Sequence, residues 1–376
     1  MIALLGRPDS PSDGVEDYCM WLSRALEHRG WTLELVRVPW AERGWWSALA
    51  WLWRESRRWK GQWTLVQYTA LGWSRRGFPL AVPVLLWILK LRHARLAIIF
   101  HDPGTYSGAR LVDGARGAVQ RWVMRTAYRW AERAILNVPV ETVSWLPPNP
   151  VKAAFIPVGS NIPALPSAQH NGYRAPGRPK VIAVFGVTGG GNVGNEVEDI
   201  AFAAKQASRR LQPLRLVTLG RGSKEAAPKL RQALNGTGIE FVAQGVLSPD
   251  EVSRTLADSD VLLFVRGQVS SQRGSVVAGI ASGLPVVAYG GPHTAHPITQ
   301  AGVLPVPYGD REELGKVLGQ VLEDERLWQD LHQRSLRAQQ EHFSWEAIAE
   351  RYAGALRLES AETFRRNVAT KLQNST

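Results

Sequence analysis

Residues 246–288, VLSPDEVSRTLADSDVLLFVRGQVSSQRGSVVAGIASGLPVVA, hold the stretch that decides the fold. Ser248 and Glu251 have the spacing of a capping box, in which a hydroxyl and a carboxylate each satisfy the other residue's orphan amide, so a helix opens here. Asp258, Ser259 and Asp260 close it ahead of an apolar strand over 261–265. A polar loop, 266–275, leads into a small-residue helix over 276–282 that Gly283 ends, and 285–288 reads as a second apolar strand. Helix, strand, loop, helix, strand is the rhythm of a parallel sheet. Loops in such a sheet emerge at the carboxyl ends of the strands, where helix N-termini and backbone amides can hold phosphate.

The same alternation extends outward in both directions. Residues 2–5, 33–38, 65–68, 96–100 and 134–137 read as short strands separated by helical stretches. A second series runs through 181–185, 214–219, 240–243, 261–265, 286–289 and 303–306. Between them, 163–179 is rich in Pro, Gly, Ser, Asn and Gln and suits an exposed connection. Helices are predicted at 311–323 and 327–341, and the tail after Glu359 reads as a final amphipathic helix. This α/β pattern predicts a doubly wound domain over 1–160, a linker over 161–180, a second doubly wound domain over 181–343 and terminal helices over 344–376. The length of 376 residues and the 45% hydrophobic content suffice for two sizeable cores.

Four short motifs, in order, give these elements a resemblance. Gly14-Val15 sits in the loop after the first strand and precedes an amphipathic 16–28. Ile98-Ile99-Phe100-His101-Asp102 is a strand followed by His, and Ile156-Pro157-Val158-Gly159 has the form I-P-x-G ahead of Ser160 and Asn161. Phe343-Ser344-Trp345-Glu346 opens a late helix. Together they resemble family 4 of the glycosyltransferases (glycosyl transferases group 1), which are retaining, two-domain enzymes of GT-B architecture. The resemblance implies two Rossmann-like domains facing each other across a cleft, the first for the acceptor and the second for a nucleotide diphosphate sugar. It also implies transfer with retained configuration and no metal ion. His101 then touches the reacting sugar, and Asp102 orients it or assists the acceptor; alternatively Asp102 caps the turn 103–106.

This chain departs from the family at the donor site. The positions of the family's two donor-loop glutamates hold Ser270 and Ala278, neither of which is a carboxylate. A basic pair usual after the first strand of the second domain is replaced by Gly186-Val187-Thr188-Gly189-Gly190-Gly191-Asn192. Charge for the diphosphate is available from Arg221, Arg266 and above all Arg273, with Ser270, Ser271 and Ser275 offering hydroxyls beside Gly274. Gly189 to Gly194 also fits a dinucleotide fingerprint, but a loop whose amides of Gly189, Gly190, Gly191 and Asn192 approach the donor diphosphate is the preferred reading, with Gly14 as the matching glycine of the first domain. Glu196 and Glu198 favour the following helix N-terminus. The missing carboxylates leave a noncatalytic GT-B-like binding protein as the alternative.

Charge is uneven. Residues 1–160 hold 21 Lys or Arg against 12 Asp or Glu, or +9 of the total +12, and 14 of the 16 Trp. The segments 45–60, 79–95 and 110–133 set Trp and aliphatic residues beside basic clusters, a composition suited to peripheral contact with an anionic membrane, although Trp at helical spacing also fills cores. An acceptor at the inner face of the cell membrane, such as a lipid-linked glycan, fits this composition. Nucleic acid is the more distant alternative, because no zinc-finger, RNA-recognition or basic-zipper pattern accompanies the pI of 10.1. The single Cys19 excludes an internal disulfide framework, no secretory segment is read, and a cytoplasmic location is expected. The histidines show no metal spacing with Cys or carboxylates.

Overall fold

The computed structural model describes residues 1–9, 13–106, 108, 110–165, 178–187 and 193–358. The chain divides into two compact units, one formed by Met1–Pro157 and joined by the chain from Trp345 onward, the other by Val158–Ser344. The tail after Glu359 and residues 166–177 of the expected linker lie outside the described residues.

In the N-terminal unit, six parallel strands are β1 (Ile2–Leu5), β2 (Glu34–Arg37), β3 (Trp63–Tyr68), β4 (Arg95–Phe100), β5 (Arg133–Leu136) and β6 (Ala153–Phe155), in the order β2-β1-β3-β4-β5-β6. The central β3 is buried at all six positions, as a strand covered on both faces must be. Helix α1 (Gly14–Glu27) links β1 to β2, whereas α2 (Trp40–Glu55), α3 (Val82–Leu91) and α4 (Leu111–Trp130) follow β2, β3 and β4. These last three form one neighbouring row, α2 on α3 and α3 on α4. Their inner stripes, including Leu52, Leu86 and Met124, share one core with alternate strand residues such as Leu4, Val66 and Ile98. Right-handed crossovers that advance in one direction along the sheet require this shared face.

The C-terminal unit repeats the plan with β7 (Lys180–Phe185), β8 (Leu214–Leu219), β9 (Glu240–Gly245), β10 (Val261–Phe264), β11 (Val286–Tyr289) and β12 (Val303–Val306), all parallel, in the order β12-β11-β10-β7-β8-β9. Helices α5 (Val193–Ser208), α6 (Ser223–Leu234) and α9 (Arg311–Glu323) pack on one face through Ile200, Leu230 and Leu318. On the other, α7 (Pro249–Ala257) and α8 (Gly274–Ala281) pack through Leu256, Val277 and Ile280. Helix α10 (Glu325–Ala338) follows α9. The capping box forms: Glu251 Oε2 accepts from the Ser248 amide at 2.9 Å and Ser248 Oγ accepts from the Glu251 amide at 3.4 Å.

Helix α11 (Trp345–Leu356) belongs to the N-terminal unit and packs on α1. The Tyr18 and Tyr352 hydroxyls meet at 2.9 Å inside that contact, and Trp345 stacks on Trp21 with ring centroids 6.4 Å apart. All eleven strands read from the sequence are present. The additional strand, β6, has three residues of intermediate burial at the sheet edge, too short to display a period.

Gly302, just before β12, donates its amide to Ser335 Oγ of α10 at 3.2 Å, and a Cβ added there would sit 2.1 Å from the Leu331 carbonyl oxygen. Backbone cannot yield as a side-chain tip does. Gly302→Ala is therefore expected to cost about 1–3 kcal/mol, read as a lowered midpoint in thermal denaturation.

Candidate functional site

At the carboxyl end of the first sheet, β4 delivers His101. Its Nε2 lies 2.7 Å from Gln67 Oε1, and Gln67 Nε2 donates to the Leu65 carbonyl, an arrangement that puts the ring proton on Nε2. The Tyr18 ring stands edge-on to the imidazole, with centroids 5.0 Å apart. Burial pushes the His101 pKa down to about 4, while the charge of Asp13 and a hydrogen bond with Asn137 act in the opposite direction. The ring is therefore neutral at pH 7 and serves as a hydrogen-bonding group. Asp102 is exposed, and after burial itself its charge is the second influence that raises the Tyr68 pKa.

Gly14 opens α1 at this same end of the sheet. Asp13 precedes it as N-cap, its Oδ1 accepting from the amides of Val15 at 3.1 Å and Glu16 at 3.2 Å, and Arg37 pairs with its Oδ2 at 3.0 Å. That helix start is occupied by its own carboxylate. Gly14 is exposed, and a Cβ there would meet nothing within 4 Å.

The second sheet reverses its direction of winding between β7 and β10, and the loops leaving these two strands part there. Arg266, Ser270, Ser271, Arg273, Gly274 and Ser275 all lie on the loop and helix start after β10, with Arg221 after β8. Gly189, Gly190, Gly191 and Asn192 lie outside the described residues. Gly186, at φ +85°, ends β7, and a Cβ there would stand 3.1 Å from the Arg266 guanidinium. Glycine thus admits that guanidinium to the end of β7. Burial lowers the Arg266 pKa; Glu196 counteracts this and Arg221 adds to it. Two guanidinium groups are therefore close enough to disfavour each other, a strain that an anion would relieve.

Arg273 is the N-cap of α8 and its side chain caps none of the first-turn amides. Burial, and then Arg273, lowers the pKa of His293. The hydroxyls of Ser270 and Ser275 are buried with no hydrogen-bond partner among the described residues. Buried hydroxyls are ordinarily satisfied, so these two can serve a polar group brought to the loop. The loop itself is pinned: the Val269 amide donates to the Tyr289 carbonyl at 2.8 Å, and Thr294 Oγ1 to the Val269 carbonyl at 2.6 Å. Val158 donates its amide to the Ser271 carbonyl at 3.2 Å.

No protein-family model matches this chain, and no curated protein matches it in sequence. Solved structures do match. HepE of Anabaena, in complex with UDP and glucose, shares 14% identity over 95% of this chain and 99% of its own, with a TM-score of 0.65. Sucrose-phosphate synthase of Thermosynechococcus elongatus shares 18% over 95% of this chain and 98% of its own, also at 0.65. A protein assigned as UDP-N-acetylglucosamine 2-epimerase, from Listeria monocytogenes, shares 13% over 94% of this chain and 95% of its own, at 0.59. The fold is GT-B.

The candidate residues thus fall into two sets, one at the carboxyl end of each sheet. Sequence reasoning missed Gln67 and Asn137 beside His101, and Glu196 beside Arg266. Gln67 was legible as a polar residue inside the apolar strand 65–68, whereas Glu196 and Arg266 are 70 residues apart with no shared pattern. Glu198, read as favouring a helix start, pairs with Arg311 at 2.8 Å, and the neighbouring Asp199 pairs with the same guanidinium.

The depressed pKa of His101 has a stability consequence. Below pH 6.5 the unfolded chain takes up a proton that the native ring refuses until about pH 4, so this contribution is complete above pH 6.5 and is lost as pH falls toward 4. In thermal melts between pH 7 and 4.5, the midpoint of wild type should fall more steeply than that of His101→Gln.

Proposed function

We propose that this chain is a glycosyltransferase that moves a sugar from a nucleotide diphosphate sugar to a glycan or lipid-linked acceptor, with retained configuration. One observation carries the reading. At the carboxyl edge of the second sheet, Arg266 and Arg221 converge near Gly186, while Arg273 begins α8 beside two buried hydroxyls that lack partners among the described residues. Such a set suits a diphosphate with polar groups attached. The solved HepE complex with UDP and glucose supports a nucleotide diphosphate sugar as the ligand.

Glycosyl transfer breaks the bond between the anomeric carbon and the diphosphate oxygen, and negative charge grows on that leaving oxygen. Guanidinium groups already in position stabilise this charge more than they stabilise the intact donor, which is the condition for lowering a barrier. Arg266 reaches the end of β7 from the loop after β10, and so takes over the work of the basic pair that the family resemblance led one to expect after β7. No metal ion is called for in this scheme. His101, being neutral with its ring proton engaged by Gln67, accepts a hydrogen bond from a sugar hydroxyl and does not act as an acid. Peptide amides and serine hydroxyls replace the donor-loop glutamates at Ser270 and Ala278.

The noncatalytic reading rests on those same two positions, since Ala278 is buried in α8 and offers no polar atom. Turnover separates the two. The fold is also that of the Listeria protein assigned as an epimerase, so the product must be identified as well.

The test is thermal stabilisation of wild type, Arg266→Ala and Arg273→Ala by UDP, GDP, ADP and TDP sugars. The donor of one base should stabilise wild type by about 2.7 kcal/mol at roughly 100 times its dissociation constant, and either variant should lose most of the gain. Chromatography of the sugar product then distinguishes transfer from epimerisation. Failure of every donor to shift the midpoint, or equal shifts in all three proteins, would remove the basis for the proposal.

A further inference from the structure

The α2–α3–α4 layer has an outer face that is neither core nor an ordinary solvated surface. Trp46 and Trp53 on α2, Val84, Trp87 and Leu91 on α3, and Leu111 and Trp122 on α4 are all exposed. Their spacings, mostly three, four, seven or eleven residues, keep each set on one side of its helix. Trp46 is 90% exposed, Trp87 53% and Trp122 52%, whereas the inner stripes of the same helices are buried. Helix α3, VPVLLWILKL, is apolar on its outward as well as its inward side, with Lys90 its one charge. A helix of that kind is normally covered on every side. Here three such stripes lie next to one another on the outside of one layer.

Charge surrounds the same face. Residues 40–133 contain 16 Lys or Arg against 5 Asp or Glu, which is +11 of the chain's +12. Three of the five carboxylates, Glu55, Asp113 and Glu132, are paired with Arg58, Arg116 and Arg95. Arg43, Arg57, Arg76, Arg121 and Arg129 are exposed with no carboxylate partner among the described residues. The Arg92 guanidinium lies 3.5 Å from the centre of the Trp53 ring, so aromatic and cationic groups are interleaved. No described helix is long and apolar enough to cross a membrane.

We propose that this face docks on an anionic lipid bilayer, with the three helices lying along its surface. Tryptophans and aliphatic tips enter the boundary between headgroups and acyl chains, and the arginines meet the lipid phosphates. A second copy of the chain would bring the same exposed arginines against those of the first, which opposes self-association through this face. Nucleic acid would use the charge but leave the outward apolar stripe of α3 without a function. The proposal concerns the N-terminal unit alone and does not depend on the donor site of the C-terminal unit.

Its test is co-sedimentation of the full chain with phosphatidylcholine vesicles containing roughly 40% phosphatidylglycerol, at about 50 mM salt. Binding should be strong there and fall by about tenfold or more at about 500 mM salt or with phosphatidylcholine alone. The triple variant Trp46→Ser, Trp87→Ser, Trp122→Ser should lose binding by about tenfold or more with an unchanged melting midpoint, since these side chains are outside the core. Cys19 is buried, so a polarity-sensitive dye can be placed at Trp87→Cys. Its emission should shift to the blue with anionic vesicles, while a dye at the exposed Val246→Cys should not respond. Absent sedimentation at low salt, binding untouched in the triple variant, or a dye at position 87 that remains in water would each overturn the proposal. So would duplex DNA binding retained in the triple variant when vesicle binding is absent.

Discussion

The pairing of β10 with β7 is the constraint on which the second unit depends. It is where the winding of the sheet reverses, and one residue fastens the start of the ladder that Val261 and Leu262 continue with Ile182 and Ala183. Asp260 donates its amide to the Val181 carbonyl at 2.8 Å, and its carboxylate accepts from the Val181 amide at 2.6 Å. The Asp260 carbonyl in turn accepts from Trp328 Nε1 of α10 at 2.7 Å, so the start of the strand, the sheet and the outer helix share one anchor. Burial raises the Asp260 pKa, whereas the bond from Val181 and the charges of Lys180 and Arg178 lower it. A register slip at this point would turn every side chain of β10 to the wrong face and carry the loop of Arg266 to Arg273 away from Gly186.

Much of the architecture was legible because both signals it uses are local. Parallel strands covered on both faces read as apolar runs, and the Ser248–Glu251 capping box, four residues long, marks a helix start without any distant partner. The Asp258 to Asp260 segment could be read only as the close of a helix. Its second role, holding β10 to β7, needs Val181 at a separation of 79 residues, and no local period carries that information. The same limit applies to the site. Arg273, Ser270 and Ser275 could be singled out because they follow a strand end in sequence, whereas the contact of Arg266 with Gly186 crosses from one strand to its neighbour in the sheet. At Gly14 the sequence pattern is a glycine at a strand-to-helix turn, and the structure adds that Asp13, the residue before it, caps the helix.

Tryptophan content posed a choice between a core and an exposed surface, and the structure divides the residues between them. Trp40, Trp59, Trp63, Trp73 and Trp145 are buried, and Trp40 stacks on Trp45 with centroids 5.0 Å apart. Trp46, Trp53, Trp87 and Trp122 face outward. Composition alone could not make this division, because Trp45 and Trp46 are adjacent in sequence and about 100° apart around α2. Gly44, at φ +74°, breaks the helical path just before them and so sets the rotation of the turns that follow. Which of the two indoles enters the core therefore depends on the backbone at the preceding residue.

The electrostatics of the two carboxyl edges are opposite in kind. Around β4, a carboxylate, Asp13, is neutralised by Arg37, and the imidazole is held uncharged by burial. Around β10, guanidinium groups accumulate with only partial compensation, because Glu196 offsets Arg266 while Arg221 opposes it. Keeping like charges together costs stability unless something in the native state returns it, and Glu196 returns part of it to Arg266. Glu198 and Asp199, the next acidic residues along α5, are committed to Arg311 instead. Which acid serves which guanidinium is thus set by its place along α5: Glu196 offsets Arg266, whereas Glu198 and Asp199 pair with Arg311, so neighbouring carboxylates of one helix divide between two separate arginines.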